Sequence, residues 1–199
     1  MPTTTRMESK STNSQATTNP INTFKVKQHI KGLLNAIGEN PNREGLIDTP
    51  TRVAQSCKEI YGGYDIDIDS VLTTFKNEGY DEMVTLKDIE FYSTCEHHLL
   101  PFAGKAHISY IPSDVIIGLS KLSRVVDIYS RRLQVQERLT TQVADILYDK
   151  LKPKGVAVML EAKHYCMMCR GVKKQNSVMV TTALHGVYEK PEVRAEFLN

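Results

Sequence analysis

Apolar positions near the start of the chain fall at helical spacing. Val26, Ile30, Leu33 and Leu34 share one face between Phe24 and Ile37, which predicts a first helix ended by Gly38. The polar run 39–45 reads as a loop. Asp48-Thr49-Pro50 sets a capping residue before a proline in the first turn, so a second helix starts there and runs to about Tyr61, where Gly62-Gly63 stop it. A third, short helix is predicted from Asp69 to Lys76. The pattern then changes. Val84, Leu86, Ile89 and Phe91 mark a strand over 83–94, and Ala106, Ile108 and Tyr110 alternate through another at 104–111. Two helices are predicted next, over 120–132 and 136–151, and two more strands over 155–164 and 177–184.

The order strand, strand, helix, helix, strand, strand predicts the α+β class. A four-stranded antiparallel sheet carries a helix pair on one face. Residues 1–20 are rich in Ser, Thr, Asn and Gln and lack a core-forming pattern, so they are expected to form a disordered tail. Residues 21–78 form an N-terminal helical arm. Residues 79–199 form the sheet domain, which holds the candidate chemistry.

Composition narrows the function. The 199 residues are 41% apolar and 24% charged, ordinary for one globular domain. A net charge of +2 with no basic run gives no sign of a nucleic-acid partner. No apolar stretch approaches the roughly 18 residues of a membrane helix, and the polar start is no signal peptide. A cytoplasmic protein is expected. In a reducing compartment its cysteines, Cys57, Cys95, Cys166 and Cys169, suggest metal binding more than disulfides where histidines lie beside them.

Two segments place them so. Cys95-Glu96-His97-His98 follows the first predicted strand, and His164-Tyr165-Cys166 with Cys169 follows the third. Zinc takes thiolate and imidazole ligands in tetrahedral geometry. Cys95 and His98 have chelate spacing in a turn, and Cys166 can close the site. If the third strand continues, alternation points His164 and Cys166 the same way. Two readings stay open. With Cys169 as a fourth ligand the zinc is structural; with Cys95, His98 and Cys166 alone, a fourth position holds water and the zinc is catalytic. His97 and His164 are left over in the second case, and unligated histidines beside a metal suit proton transfer near neutral pH.

A second constellation suits an anion. Ser120, Lys121 and Arg124 open a predicted helix, with the two cations on one face. Cations at a helix start oppose the dipole, and an anion bound there would remove the conflict. Arg170 could extend that positive site. Glu137, at the start of the next helix, could accept two hydrogen bonds from the N1–H and N2–H₂ edge of guanine.

Taken together, the segments STCEHHLLPFAGKAHISYIP at 93–112, GLSKLSR at 118–124, QVQERLT at 134–140 and HYCMMCRG at 164–171 closely resemble GTP cyclohydrolase I, and REGLIDTPTRV at 43–53 extends the match. The resemblance implies a tunnelling fold assembled into a decamer of two face-to-face pentameric rings, with active sites between subunits. It implies one Zn2+ per subunit on Cys95, His98 and Cys166. His97, His164 and Ser120 would be catalytic. Lys121, Arg124 and Arg170, with Ser120, would hold the triphosphate. Gln136 and Glu137 would lie against the purine, and Arg52 would reach a neighbouring subunit's triphosphate. The implied reaction opens the imidazole ring of GTP, releases formate and yields 7,8-dihydroneopterin triphosphate for folate or tetrahydropterin biosynthesis. Cys169 departs from the family pattern. The rival readings are another zinc-dependent tunnelling-fold enzyme acting on a pterin or purine, and a non-catalytic zinc-stabilised module.

Overall fold

The computed structural model describes residues 20–198, so the predicted tail lies outside the described residues except at Pro20. Helix α1 spans Thr23–Ala36, where the Asn22 side chain accepts a hydrogen bond from the Lys25 amide at 2.9 Å and caps the first turn. Helix α2 spans Thr49–Ile60 and packs on α1. Asp48 stands at its N-cap without a capping bond; its carboxylate meets Arg52 instead, at 3.4 Å.

The helix expected over 69–76 does not form. Ile68–Ser70 makes a single 3-10 turn, and Thr74–Lys76 is strand β1. It pairs antiparallel with β4, Val115–Ile117, a strand that was not predicted. Two three-residue strands are too short to carry a period, so only the pairing reveals them.

The main sheet has five strands in the order β5-β2-β3-β6-β7. Strands β2 (Val84–Cys95), β3 (Pro101–Ile111), β6 (Gly155–His164) and β7 (Met179–Gly186) make the antiparallel four that the sequence predicts. The sheet is mixed because Leu133–Gln134, β5, adds a short parallel edge beside Thr94 and Cys95. Helices α3 (Leu119–Ser130) and α4 (Gln136–Leu151) cover one face. Their Leu122, Val125, Leu139, Val143 and Leu147 interlock with Phe91, Phe102, Ile108, Val158 and Leu160, all buried.

Two short helices complete the chain. Tyr165–Met168, α5, follows β6 directly, and Pro191–Leu198, α6, closes the C-terminus. Neither was predicted. Phe197 of α6 packs edge-on to the fully buried Tyr188, and this small cluster covers part of the opposite sheet face. No helix among the described residues is long and apolar enough to cross a membrane.

Candidate metal centre

The loop between β2 and β3 folds back on its own first residue. The Cys95 carbonyl accepts from the Leu99 amide at 2.9 Å, and the Cys95 amide donates to Leu100 O at the same distance. Leu99 takes φ 53° to make this turn. The turn brings His98 over Cys95, with Sγ and Nδ1 3.8 Å apart. Glu96 leaves the loop sideways, to an ion pair with Arg138 of α4. Arg138 Nε also donates to Gln134 Oε1 at 3.0 Å, so β5, α4 and the loop are tied together beside the site.

Cys166 arrives by another route. Phe102 opposes His164 in the β3–β6 register, so β6 ends beside the start of β3. Past His164 the described residues offer no strand partner. The chain turns into α5, which carries Cys166 at its second position. The expected continuation of the strand to Cys166 therefore fails, while the convergence it was meant to explain holds. Donor atoms of Cys95, His98 and Cys166 lie within 4.8 Å of one another.

These donors fit a tetrahedral ion. Ordinary Zn–S and Zn–N lengths put such ligands about 3.6–3.8 Å apart. Burial pushes the Cys166 thiol up, and the adjacent Cys95 thiol pushes it further. A bound divalent ion reverses both effects and displaces the protons. Cys169 stands outside the group: it is exposed, and its Sγ donates to Tyr165 O at 3.0 Å.

The two remaining histidines differ. His97 is exposed, with Nδ1 3.9 Å from Cys95 Sγ and Nε2 4.0 Å from Glu96. His164 is half-buried. Its ring stacks on Phe102 at 4.6 Å with 4° between planes, and its Nε2 lies 2.8 Å from Gln136 Oε1. Burial lowers its pKa, against the opposing pull of Glu137, which favours a neutral ring at pH 7.

One end of the sheet thus gathers Cys95, His97, His98, Gln136, Glu137, His164 and Cys166. Arg170 joins them, donating to Cys166 O at 3.3 Å. No hydrogen bond or ion pair among the described residues links Ser120, Lys121, Arg124 or Arg52 to this group. Ser120, Lys121 and Arg124 open α3 beside Thr73, whose carbonyl accepts from the Gly118 amide at 3.2 Å. The far end of α3, at Asp127 and Arg131, borders a cavity of about 380 Å³ shared with Ser93, Thr94 and Pro101. From Lys121 to Arg131 is about 15 Å of helix. Arg52 is exposed on α2, where among the described residues it pairs with Asp48. Sequence reasoning missed Phe102 and Arg138 as supports of the site. The Phe102–His164 pairing becomes visible only with the strand register.

A sequence profile of the GTP cyclohydrolase I family matches residues 26–199. The GTP cyclohydrolase 1 of Bartonella quintana is 53% identical over 170 residues, covering 84% of this chain and 82% of that protein. That of Porphyromonas gingivalis is 51% identical over 176 residues, covering 88% and 91%. That of Coxiella burnetii is 51% identical over 177 residues, covering 87% and 96%. Among solved structures, the archaeosine synthase QueF-Like in the apo form matches 52% of this chain and 93% of its own at TM-score 0.44 and 18% identity. Fold and donor group make this an α+β protein with three donors at one end of its sheet that could hold a metal ion. The chain belongs to the GTP cyclohydrolase I family.

Proposed function

We propose that the chain hydrolytically opens the imidazole ring of GTP, releases formate and forms 7,8-dihydroneopterin triphosphate, the first step of pterin biosynthesis. The observation that carries this reading is the Cys95–His98–Cys166 group, which Cys169 does not close, with two unligated histidines beside it. Zinc suits two sulfurs and one nitrogen, and when bound it supplies the Lewis acidity that makes water nucleophilic near neutral pH.

The chain's own residues do the rest. His97, exposed at the loop tip, delivers a proton to N7 as the imidazole opens. His164, held neutral by burial, takes and returns protons in the later ribose rearrangement. Glu137 accepts from N1–H and N2–H₂ of guanine, which places the base over the first turn of α4. Ser120, Lys121, Arg124, Arg170 and Arg52 hold the triphosphate, whose bonds stay intact, so these contacts position the substrate.

The resemblance to the family, and the lack of any contact between Lys121 or Arg124 and the donor group among the described residues, support a site shared between subunits. Lys121 and Arg124 of one copy would meet the metal end of another, and Ser120 would join His164 the same way. The domain would then act as a tunnelling fold, with 21–78 as a reaching arm and 79–199 as the catalytic body. A decamer of two pentameric rings accommodates this, and the outer edge of β7, with Val180 53% exposed, supports sheet-to-sheet joining. The thiol ligands suit the cytoplasm, where they stay reduced.

The test is incubation of zinc-loaded protein with GTP. Formate and, after oxidation, a fluorescent pterin are expected together; release of neither refutes the reading. Glu137→Gln should lower kcat/KM for GTP by about 100-fold and shrink its preference over inosine triphosphate, which lacks the 2-amino group. An unchanged preference removes Glu137 from guanine recognition.

A further inference from the structure

Gln136 was expected against the purine, yet its side chain is only 1% exposed. Its amide is fully engaged inside the chain. Nε2 donates towards Leu160 O and Met179 O, each at 3.0 Å, and approaches Thr181 Oγ1 at 3.1 Å. Both carbonyls are acceptors only, so turning the amide over would set oxygen against oxygen. Gln136 Oε1 must therefore face His164 Nε2, 2.8 Å away. That oxygen is also an acceptor only, so the proton of this bond belongs to His164.

The surroundings leave little freedom to rearrange. The Thr140 hydroxyl donates to the Gln136 carbonyl at 2.8 Å, so the Thr181 hydroxyl supplies the hydrogen in the 2.6 Å contact with Thr140. Every proton in the cluster follows from an acceptor-only oxygen. Phe102, fully buried, fixes the plane of the imidazole by stacking on it. Among the described residues the His164 ring makes its side-chain hydrogen bond through Nε2, to Gln136.

We propose that Gln136 is a positioning residue whose Oε1 fixes a proton on His164 Nε2 and so leaves Nδ1 as the nitrogen that exchanges protons with the substrate. The proposal rests on the reading of His164 as a proton carrier. The Nε2–H stays on Gln136 throughout, so a proton exchanged with the substrate passes through Nδ1. The return transfer restores the starting state. Gln136 touches no substrate atom in this scheme. It acts through the ring, as a hydrogen-bonded partner sets which nitrogen of a histidine is available.

Neutron diffraction from crystals of the unmodified zinc enzyme at about pH 8, above the ordinary histidine range, reads the tautomer directly. Deuterium on His164 Nε2 with a bare Nδ1 is expected. Deuterium on Nδ1 with a bare Nε2 overturns the proposal, whatever any variant does. Gln136→Met should then lower kcat by about 10- to 100-fold, with zinc content and the KM for GTP nearly unchanged. In a His164→Ala background the same substitution should cost nothing further. A raised KM with kcat intact would make Gln136 a substrate contact and sink the positioning role. Full activity of His164→Ala would instead sink the reading of His164 as proton carrier, and the neutron result would still decide the tautomer.

Discussion

Cys166→Ala is expected to empty the metal site and stop GTP turnover together. Cys166 is one of the three donors that converge within 4.8 Å, and no fourth side chain in the group can replace it. Removing one of the two thiolates among three ligands should weaken zinc by about a thousandfold or more. Zinc per chain after dialysis should fall towards zero, and formate release should fall with it. Two companions separate metal loss from other damage. Cys169→Ala should keep both zinc and activity, because that exposed thiol is spent on Tyr165 O. His97→Ala should keep zinc yet fail to open the ring, because His97 lies outside the donor group while staying next to Cys95. A zinc-replete, active Cys166→Ala removes the ligand assignment. Zinc loss in Cys169→Ala would restore the four-ligand, structural alternative.

Local chemistry made the donor group readable in advance. Cys95 and His98 present their donors from one turn, and turns of that kind are written in four consecutive residues. The helix pair and the four long strands were readable for a similar reason: each is long enough to show a period. What failed was set by partners elsewhere in the chain. Thr74–Lys76 became a strand because Val115–Ile117 lies beside it. Cys166 left the strand because β6 runs out of neighbours after His164. One miss did leave a trace. The apolar positions of β2 step evenly from Val84 to Leu86 and then jump three to Ile89. That odd step is the signature of a bulge. The register shift lies there, with Asp88 at φ 60° and its carboxylate 2.7 Å from Lys105 Nζ. The role of Gln136 had no such trace. The resemblance set Gln136 against the purine beside Glu137. Only the packing of α4 on β6 and β7 turns it inward.

Gly104→Ala is expected to damage the whole domain from the centre of the sheet. Gly104 sits on β3, opposite Phe91 of β2 on one side and Ala162 of β6 on the other. A Cβ placed there would lie 1.8 Å from Glu161 O and 2.7 Å from Ala162 Cα. Both are backbone atoms held by the ladder, so no side chain can swing aside. The strands must separate, or the β3–β6 hydrogen bonds on either side must break. Such a clash belongs with the severe class of substitutions, about 4 kcal/mol or more. Any chain that still folds carries a second defect. Two residues along the same ladder, Phe102 faces His164, and their stacking depends on that register. Separation at Ala162 would loosen the ring that must present one nitrogen. Thermal unfolding should therefore shift down by at least about 10 °C, and the surviving folded fraction should bind zinc yet turn over GTP more slowly per bound ion. An unfolding midpoint within about 2 °C of the parent would show that β3 and β6 can part there at little cost, and the close approach would then not be what requires glycine.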